Sequence, residues 1–280
     1  MAPRPRRRRP PGQGRPARPR RRGRRAVTAD LGPPRTYASV AGRDLRLWTF
    51  GRHDAPRPAV VFFHGGGWRR GRVDQFRPQA EHLAGRGMVA VLVEYRTDGP
   101  VAATQDALAA MGHVRSHAAA LGADPDRLVA AGGSAGGHLA LATALLAPPD
   151  LAPSALVLFN PVTDTTGDYP DGYGRSWFDA DDDARAYSPY HHLRPGTPPA
   201  LVLHGTADTA VAFGNSRRFV DAMTAGGDQA ILVAYEGQRH GFFNPGTANG
   251  DLYHARTTAA MTSFLESLGL IPRPSPSIME

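Results

Sequence analysis

Short apolar runs that alternate with longer amphipathic segments are the feature that most constrains how this chain folds. A run of five to eight residues that is apolar on both faces is typical of a strand buried inside a sheet. The longer segments repeat their apolar positions every three to four residues, as helices do. The alternation predicts an α/β fold, with a mostly parallel central sheet covered by helices on both faces.

The predicted elements follow one another along most of the chain. Strands are expected at residues 59–63, 88–95, 127–131, 155–159, 200–204 and 229–235, and residues 44–50 alternate like an edge strand. Helices are expected at residues 75–86, 101–121, 135–146, 213–225 and 255–268. In such sheets the ligand site lies beyond the carboxyl ends of the strands. Reactive side chains are therefore expected in the loops that follow the strands.

A serine flanked by glycines stands between the strand at residues 127–131 and the helix at residues 135–146. The run is GGSAGG at residues 132–137. A strand–turn–helix of this kind holds a serine in a strained backbone conformation with its hydroxyl clear of the sheet. Glycines are needed beside it because larger side chains would collide with neighbouring backbone. The run predicts Ser134 as a nucleophile, although alone it also fits a glycine-rich turn.

Three further signals stand at strand ends. His64 is followed by three glycines whose amides can turn inward and donate to an oxyanion, Asp208 follows the strand at residues 200–204, and His240 follows the last strand. Taken one at a time, each signal has an ordinary explanation. The glycine run fits a flexible loop, Asp208 fits a solvated aspartate, and His240 fits an exposed histidine. Their order along the chain, oxyanion loop, serine, aspartate, histidine, is that of the α/β-hydrolase triad. A serine hydroxyl needs a neutral imidazole to take its proton, and a carboxylate holds that imidazole in the correct tautomer.

The sequence resembles the small esterases of the α/β-hydrolase superfamily, over about residues 40–270. The likeness lies in residues 64–68, 132–138, 160–162, 188–189, 194–199 and 236–244. It is greatest to acetyl xylan esterases and feruloyl-esterase-like hydrolases, and the HGGG loop makes the chain similar to the hormone-sensitive-lipase group. The resemblance implies Ser134 as nucleophile, Asp208 as acid and His240 as base, with the amides of Gly65, Gly66 and Ala135 as the oxyanion hole.

Residues 163–199 interrupt the alternation and are rich in Asp, Gly, Pro and aromatic residues. A loop of this length is typical of a functional segment, and we interpret it as a cap-like insertion over the site. Tyr173 and Trp177 in this segment, with Trp68 after the HGGG loop, are candidate substrate contacts. Tyr173 or Trp177 can stack on a sugar face, and packing in the core is the alternative.

These observations predict a serine carboxylic ester hydrolase that acts on small short-acyl esters, acetylated carbohydrates among them, through an acyl-enzyme intermediate. Its partner is a small-molecule ester, and we expect no cofactor and no metal. A peptidase of the prolyl-oligopeptidase type is the alternative within enzymes, although no propeller domain is evident. The oligomeric state is left open.

The basic residues are concentrated at one end of the chain. Twelve of the 33 lie in residues 1–25, which leaves 21 basic and 25 acidic residues in the rest. This Arg/Pro-rich segment cannot bury apolar surface and is predicted to be a disordered tail. It fits either an upstream stretch translated from a misassigned start or a tether that binds anionic surfaces or nucleic acid non-specifically. We expect residues 26–272 to form the hydrolase domain and residues 273–280 a flexible C-terminus.

Composition excludes several classes of protein. There are no cysteines, so disulfides, thiol nucleophiles and thiolate metal sites are excluded. The longest apolar run, residues 88–93, is too short to span a membrane. Paired arginines near the start are not followed by the apolar segment of an export signal. A cytoplasmic protein without membrane association is therefore expected.

Other polar residues have alternative interpretations. Asp164 follows the strand at residues 155–159 and is the rival for the triad acid. His113 and His117 have the spacing of a helical metal pair but no third ligand, so a helix surface is favoured. The alternating aspartates at residues 179–183 lack the glycine that a calcium loop needs. Arg96 and Asp106 are predicted to form an ion pair between a strand and the next helix.

Overall fold

A computed structural model describes residues 31–51, 53–167, 173–247 and 249–272. The predicted tail, residues 1–25, and the predicted flexible C-terminus, residues 273–280, lie outside the described residues. Within the described ranges eight strands form one sheet. They are β1 Arg35–Val40, β2 Arg43–Phe50, β3 Arg57–Phe63, β4 Val89–Val93, β5 Ala123–Gly133, β6 Ala155–Phe159, β7 Ala200–Gly205 and β8 Ala230–Tyr235.

Seven α-helices connect and flank these strands within the same ranges. They are α1 Arg77–Gly85, α2 Pro100–Ser116, α3 Ala118–Leu121, α4 Ala135–Leu145, α5 Asp181–Ala186, α6 Phe213–Ala225 and α7 Gly250–Ser267. The helix predicted at residues 101–121 is interrupted at His117, which leaves the helical conformation (φ −109°, ψ 17°). The ring Nδ1 and the N–H of His117 both lie 3.0 Å from the His113 carbonyl oxygen, so ring and backbone compete for one acceptor.

The sheet has the strand order β1-β2-β4-β3-β5-β6-β7-β8. All neighbours from β4 to β8 are parallel, and β1 and β2 pair antiparallel at one side. This confirms the predicted α/β-hydrolase fold class. The prediction that residues 44–50 form an edge strand is wrong, because β2 pairs on both sides and β1 is the edge. Sequence patterns missed β1 because Tyr37 is its only buried side chain.

Helices cover both faces of the sheet, as the apolar strands require. Every residue of β4 and β6 is buried, and so is every residue of α4. One face packs against α2, α4 and α6, and the other packs against α1 and α7. No helix in the described ranges is both long and apolar enough to cross a lipid bilayer.

The predicted ion pair between Arg96 and Asp106 is confirmed. Nη2 of Arg96 lies 2.8 Å from Oδ1 of Asp106, and the backbone N–H of Arg96 donates to Oδ2 at 2.8 Å. Asp106 is buried on α2, so its carboxylate fixes the end of β4 against that helix.

The loops that follow β3 and β5 leave the sheet at its topological switch point. From β3 the chain crosses to β4 on one side, whereas β5 pairs with β3 on the other. Diverging connections of this kind open a crevice at the carboxyl edge of the sheet. His64 follows β3 and Ser134 follows β5 at this edge, and the loops after β7 and β8 bring Asp208 and His240 to the same edge.

Candidate active site

Ser134 lies in a strained turn between β5 and α4. Its backbone has φ 56° and ψ −122°, outside the regions that non-glycine residues favour. The turn is held by a hydrogen bond from its N–H to the Phe159 carbonyl oxygen (2.9 Å). A Cβ on Gly136 would lie 2.0 Å from the Phe63 carbonyl oxygen, and one on Gly132 would lie 2.3 Å from the Gly136 carbonyl oxygen. The two glycines therefore permit the close backbone approach that the sequence pattern predicted.

Ser134 and His240 line the same cavity, which has a volume of about 790 Å³. Its wall also includes Gly66, Asn160 and Tyr173. The cavity thus brings together residues from the loops after β3, β5, β6 and β8.

Asp208 connects to this cavity through His240. The Asp208 Oδ2 accepts a hydrogen bond from His240 Nδ1 at 2.7 Å, and its Oδ1 accepts from the N–H groups of Ala210 (2.8 Å) and Val211 (3.0 Å). Burial opposes ionisation of this carboxyl, but the hydrogen bonds from His204 and His240 outweigh it and hold the pKa of Asp208 well below its usual range. An ionised carboxylate on Nδ1 leaves His240 Nε2 free to accept a proton.

His204 is a second histidine on the same carboxylate. Its Nε2 lies 3.1 Å from Asp208 Oδ2 and 3.0 Å from the Val211 carbonyl oxygen. Because both neighbours only accept, Nε2 carries a proton. Its Nδ1 lies 2.7 Å from the Ser216 Oγ, which donates to it in the neutral tautomer. The fully buried ring of His204 therefore orients Asp208 from behind.

The HGGG loop is ordered by three side chains that hold two consecutive peptide groups. In the His64–Gly65 peptide, the carbonyl oxygen accepts from the Tyr95 hydroxyl (2.5 Å) and the N–H donates to Gln75 Oε1 (2.6 Å). In the Gly65–Gly66 peptide, the carbonyl oxygen accepts from His64 Nδ1 (2.8 Å). Burial lowers the pKa of His64 to about 4, so this ring is neutral at neutral pH and donates from Nδ1.

This arrangement corrects the prediction for Gly65. Its N–H already has an acceptor in Gln75, so it is not free to bind an oxyanion. The N–H of a trans peptide points opposite to its carbonyl, so the contact of His64 with the Gly65 carbonyl directs the Gly66 N–H the other way. Within the described residues the N–H groups of Gly66, Gly67 and Ala135 have no acceptor, and Ala135 begins α4 directly after Ser134.

The three predicted substrate contacts lie in different surroundings. Tyr173 lines the cavity, and its hydroxyl lies close to Gly67. The prediction for Trp68 is wrong, because its side chain is fully buried and packs edge-on against His138 with ring centroids 5.1 Å apart. Trp177 is not among the residues that line this cavity, and its ring packs under Arg69 at 4.5 Å.

Asp164, the rival acid, is part of a separate buried cluster. Its carboxylate pairs with Arg218 and accepts from the N–H (2.8 Å) and hydroxyl (2.7 Å) of Thr166 and from the Ser188 hydroxyl (3.1 Å). Burial opposes ionisation, but these hydrogen bonds and the guanidinium keep the pKa of Asp164 below its usual range. The cluster fixes the start of the cap-like insertion to α6.

Among the described residues, no group of three or more His, Asp or Glu side chains is arranged to hold a metal ion. The alternating aspartates include Asp181 and Asp183, which lie in the first turn of α5. Acidic residues in a first helical turn are favoured by the helix dipole.

Comparison with known proteins agrees with this geometry. The profile of the family described as alpha/beta hydrolase fold matches residues 60–244. The chain belongs to the alpha/beta hydrolase fold family. A thermophilic esterase of the planctomycete Thermogutta terrifontis is 37% identical, with a TM-score of 0.80 over 88% of this chain and 96% of that one. The predicted likeness to esterases of this fold is confirmed.

Curated relatives in the alpha/beta hydrolase fold family are also esterases. The carboxylesterase NlhH of Mycobacterium tuberculosis is 43% identical over 94 residues, which cover 32% of this chain and 30% of that protein. The probable carboxylic ester hydrolase LipM of the same organism is 29% identical over 258 residues, which cover 79% of this chain and 57% of that protein. The chain thus spans about a third to just over half of these two relatives.

Sequence reasoning missed three side chains that hold this alpha/beta hydrolase site together. His204 lies four residues before Asp208 at the end of the same strand, and this spacing is the only sequence feature that indicates a contact between them. Gln75 Nε2 donates to Asn244 Oδ1 at 3.0 Å, but the two residues are far apart in sequence and nothing in the pattern of either segment predicts that they pair.

Proposed function

We propose that the chain is a carboxylic ester hydrolase that cleaves small esters with short acyl groups through an acyl-enzyme intermediate on Ser134. The observation that best supports this proposal is the hydrogen bond between ionised Asp208 and His240, because His240 and Ser134 line the same cavity. Acyl transfer requires a strained serine at a helix start, an imidazole held by a carboxylate, and backbone amides such as those here that have no acceptor among the described residues.

The reaction proceeds in two half-reactions. His240 Nε2 takes the proton of the Ser134 hydroxyl while Oγ bonds to the ester carbonyl carbon, and the carbonyl oxygen becomes an oxyanion. The N–H groups of Gly66, Gly67 and Ala135 stabilise that charge. His240 then gives the proton to the departing alcohol as the C–O bond breaks. In the second half a water, deprotonated by His240, attacks the acyl carbon and releases the acid and Ser134.

The proposal of short acyl groups is supported by the Thermogutta esterase. Solved structures of that enzyme hold propionate or butyrate, and another is phosphorylated by paraoxon. In this chain Tyr173 lines the cavity, and its hydroxyl lies close to Gly67. Acetylated carbohydrates are included in the proposal because Tyr173, an aromatic residue of the kind that stacks on sugars, lines the cavity.

The alternatives draw less support. A peptidase of the prolyl-oligopeptidase type shares the sheet and triad order, but the relatives described above are esterases. Binding of nucleic acid or anionic surfaces rests on residues 1–25, which lie outside the described residues.

A substrate panel tests the proposal. Hydrolysis of p-nitrophenyl esters from acetyl to decanoyl is measured beside release of acetate from acetylated xylan and of ferulate from a feruloyl ester. We expect kcat/KM to be highest between acetyl and butyryl and to fall at least about tenfold by octanoyl. A maximum at decanoyl would contradict the short-acyl proposal. Paraoxon should inactivate the enzyme stoichiometrically, with the phosphoryl group on the peptide that contains Ser134.

A further inference from the structure

We infer that Gln75 and Asn244 form a side-chain bridge that positions the oxyanion-binding amides and the general base relative to one another. The inference rests on the proposed function, because it concerns the same site. Both side chains line the Ser134 cavity, and they join segments that are 169 residues apart in the chain.

The Gln75 side chain is held at both ends. Its Oε1 accepts the Gly65 N–H at 2.6 Å, and its Nε2 donates to Asn244 Oδ1 at 3.0 Å. The Gly65 N–H only donates, which places Oε1 on that side and leaves Nε2 as the donor toward Asn244. One amide group therefore ties the HGGG loop to the loop after β8.

Asn244 also holds Gly241, the residue that follows His240. Its Nδ2 donates to the Gly241 carbonyl oxygen at 2.8 Å, and its backbone N–H donates to the same oxygen at 3.0 Å. The Gly241 N–H in turn donates to Asn160 Oδ1 at 3.2 Å. Both peptide groups of Gly241 are thus fixed, and this glycine adopts a left-handed φ of 75°.

The bridge acts on two parts of the catalytic machinery together. Gly65 precedes the amide of Gly66, which has no acceptor among the described residues, and Gly241 follows the imidazole of His240. A displacement of about 1 Å in either group costs up to about a hundredfold in rate, because the transition state needs both at hydrogen-bond distance. Gln75 and Asn244 are positioning residues, since neither is required to touch the reacting atoms.

Gln79 provides a matched control. It lies one turn further along, on α1, and is buried like a core residue. Its Nε2 lies 3.3 Å from His254 Nδ1 on α7, so it also joins two distant segments through an amide, but it does not line the cavity. Gln79→Met removes a buried amide and leaves both hydrogen bonds of Gln75 in place, while its partner His254 also lies 3.3 Å from the Phe243 carbonyl oxygen.

The experiment measures kcat and KM for p-nitrophenyl acetate in Gln75→Met, Asn244→Ala, the double variant and Gln79→Met. It also measures inhibition by an alkyl trifluoromethyl ketone, whose adduct with the nucleophile carries an oxyanion. Thermal unfolding of each variant establishes that it is folded. Gln75→Glu is included because it keeps the acceptor for Gly65 and loses the donor to Asn244.

We expect Gln75→Met to lower kcat by about 10- to 100-fold with KM changed less than about threefold, and to weaken ketone inhibition by a similar factor. Asn244→Ala should lower kcat in the same way, and Gln75→Glu should retain an intermediate rate. The kcat of the double variant should lie within about twofold of the kcat of Gln75→Met, because both substitutions break the same bridge. Gln79→Met should keep kcat within about twofold.

Three outcomes would overturn the inference. They are an unchanged kcat in folded Gln75→Met, losses that multiply in the double variant, and an equal loss in Gln79→Met. Failure of the proposed function gives a different result, because the wild-type protein would then show no ester hydrolysis that Ser134→Ala removes.

Discussion

His204 lies behind Asp208, with its Nε2 3.1 Å from the Oδ2 of that carboxylate. The same oxygen receives the hydrogen bond from His240. One oxygen of Asp208 thus takes donors from two histidines, while its other oxygen takes two backbone N–H groups. The carboxylate is fixed in position and in charge before any substrate arrives.

Replacing His204 should lower both the free energy of unfolding and kcat. His204→Phe keeps a ring of similar size but removes the donor to Asp208 and to the Val211 carbonyl. We expect a loss of roughly 1–3 kcal/mol in the free energy of unfolding from the unpaired acceptors. With Asp208 less constrained, kcat should fall about tenfold. Urea unfolding and kcat at pH 8 measure the two effects, and a kcat within twofold of wild type would exclude the orienting role.

The two buried aspartates should respond differently to the same substitution. Asp208→Asn removes the charge that stabilises protonated His240 and allows the wrong tautomer, so kcat should fall by about 10⁴-fold. Asp164→Asn removes the charge that pairs with Arg218 and should cost about 3 kcal/mol in the free energy of unfolding.

The rate of Asp164→Asn is the control for this comparison. Because Asp164 belongs to a separate cluster, its variant should keep kcat within about threefold as long as it is assayed below its unfolding temperature. If Asp164→Asn loses as much rate as Asp208→Asn, the assignment of the acid is wrong.

Acyl-chain selectivity should depend on Tyr173. Tyr173→Ala widens the cavity beside Gly67, so kcat/KM for the octanoyl ester should rise about tenfold relative to the acetyl ester. Trp177→Ala is the matched control, because its ring packs against Arg69 instead of lining the cavity. Equal selectivity changes in the two variants would show that the insertion acts as a whole and not through Tyr173.

Two buried histidines should make the protein sensitive to mild acid. Burial lowers the pKa of both His64 and His138 to about 4. In the unfolded chain each imidazole takes a proton near pH 6.5. Between about pH 6.5 and 4 the unfolded state therefore binds more protons, and the free energy of unfolding falls as pH falls.

Substitution of either histidine tests this linkage. Free energies of unfolding measured by urea denaturation from pH 8 to 4 should fall with a slope to which these two histidines contribute up to about two protons. His138→Gln should reduce that slope by about one proton. A slope unchanged in His138→Gln would mean that other groups control the acid response.

Much of this fold was predictable because its strands are apolar on both faces and short. Patterns of this kind located β3 to β8 and their helices, and placed Ser134, Asp208 and His240 at strand ends. β1 was not predicted because it lies at the edge of the sheet with one buried side chain and therefore has little apolar pattern. The interruption of the long helix at His117 depends on a side-chain contact that local propensity does not register.

The misses at the site share a physical cause. The Gly65 N–H was predicted to bind the oxyanion because no sequence pattern indicates that Gln75 accepts a hydrogen bond from it. Trp68 was predicted as a substrate contact because it adjoins the HGGG loop, yet its backbone has a positive φ of 54° and its ring packs in the core against His138. Contacts of this kind depend on where separate loops meet, and only the folded chain brings them together.

The central claim is that Ser134 is the nucleophile of an ester hydrolase, and one measurement tests it most directly. The rate of p-nitrophenyl acetate hydrolysis is compared between the purified wild-type protein and Ser134→Ala, with thermal unfolding as the check on folding. We predict a loss of at least about 10⁴-fold in kcat/KM with an unchanged fold. A folded Ser134→Ala protein that keeps its rate within tenfold of wild type would contradict the account.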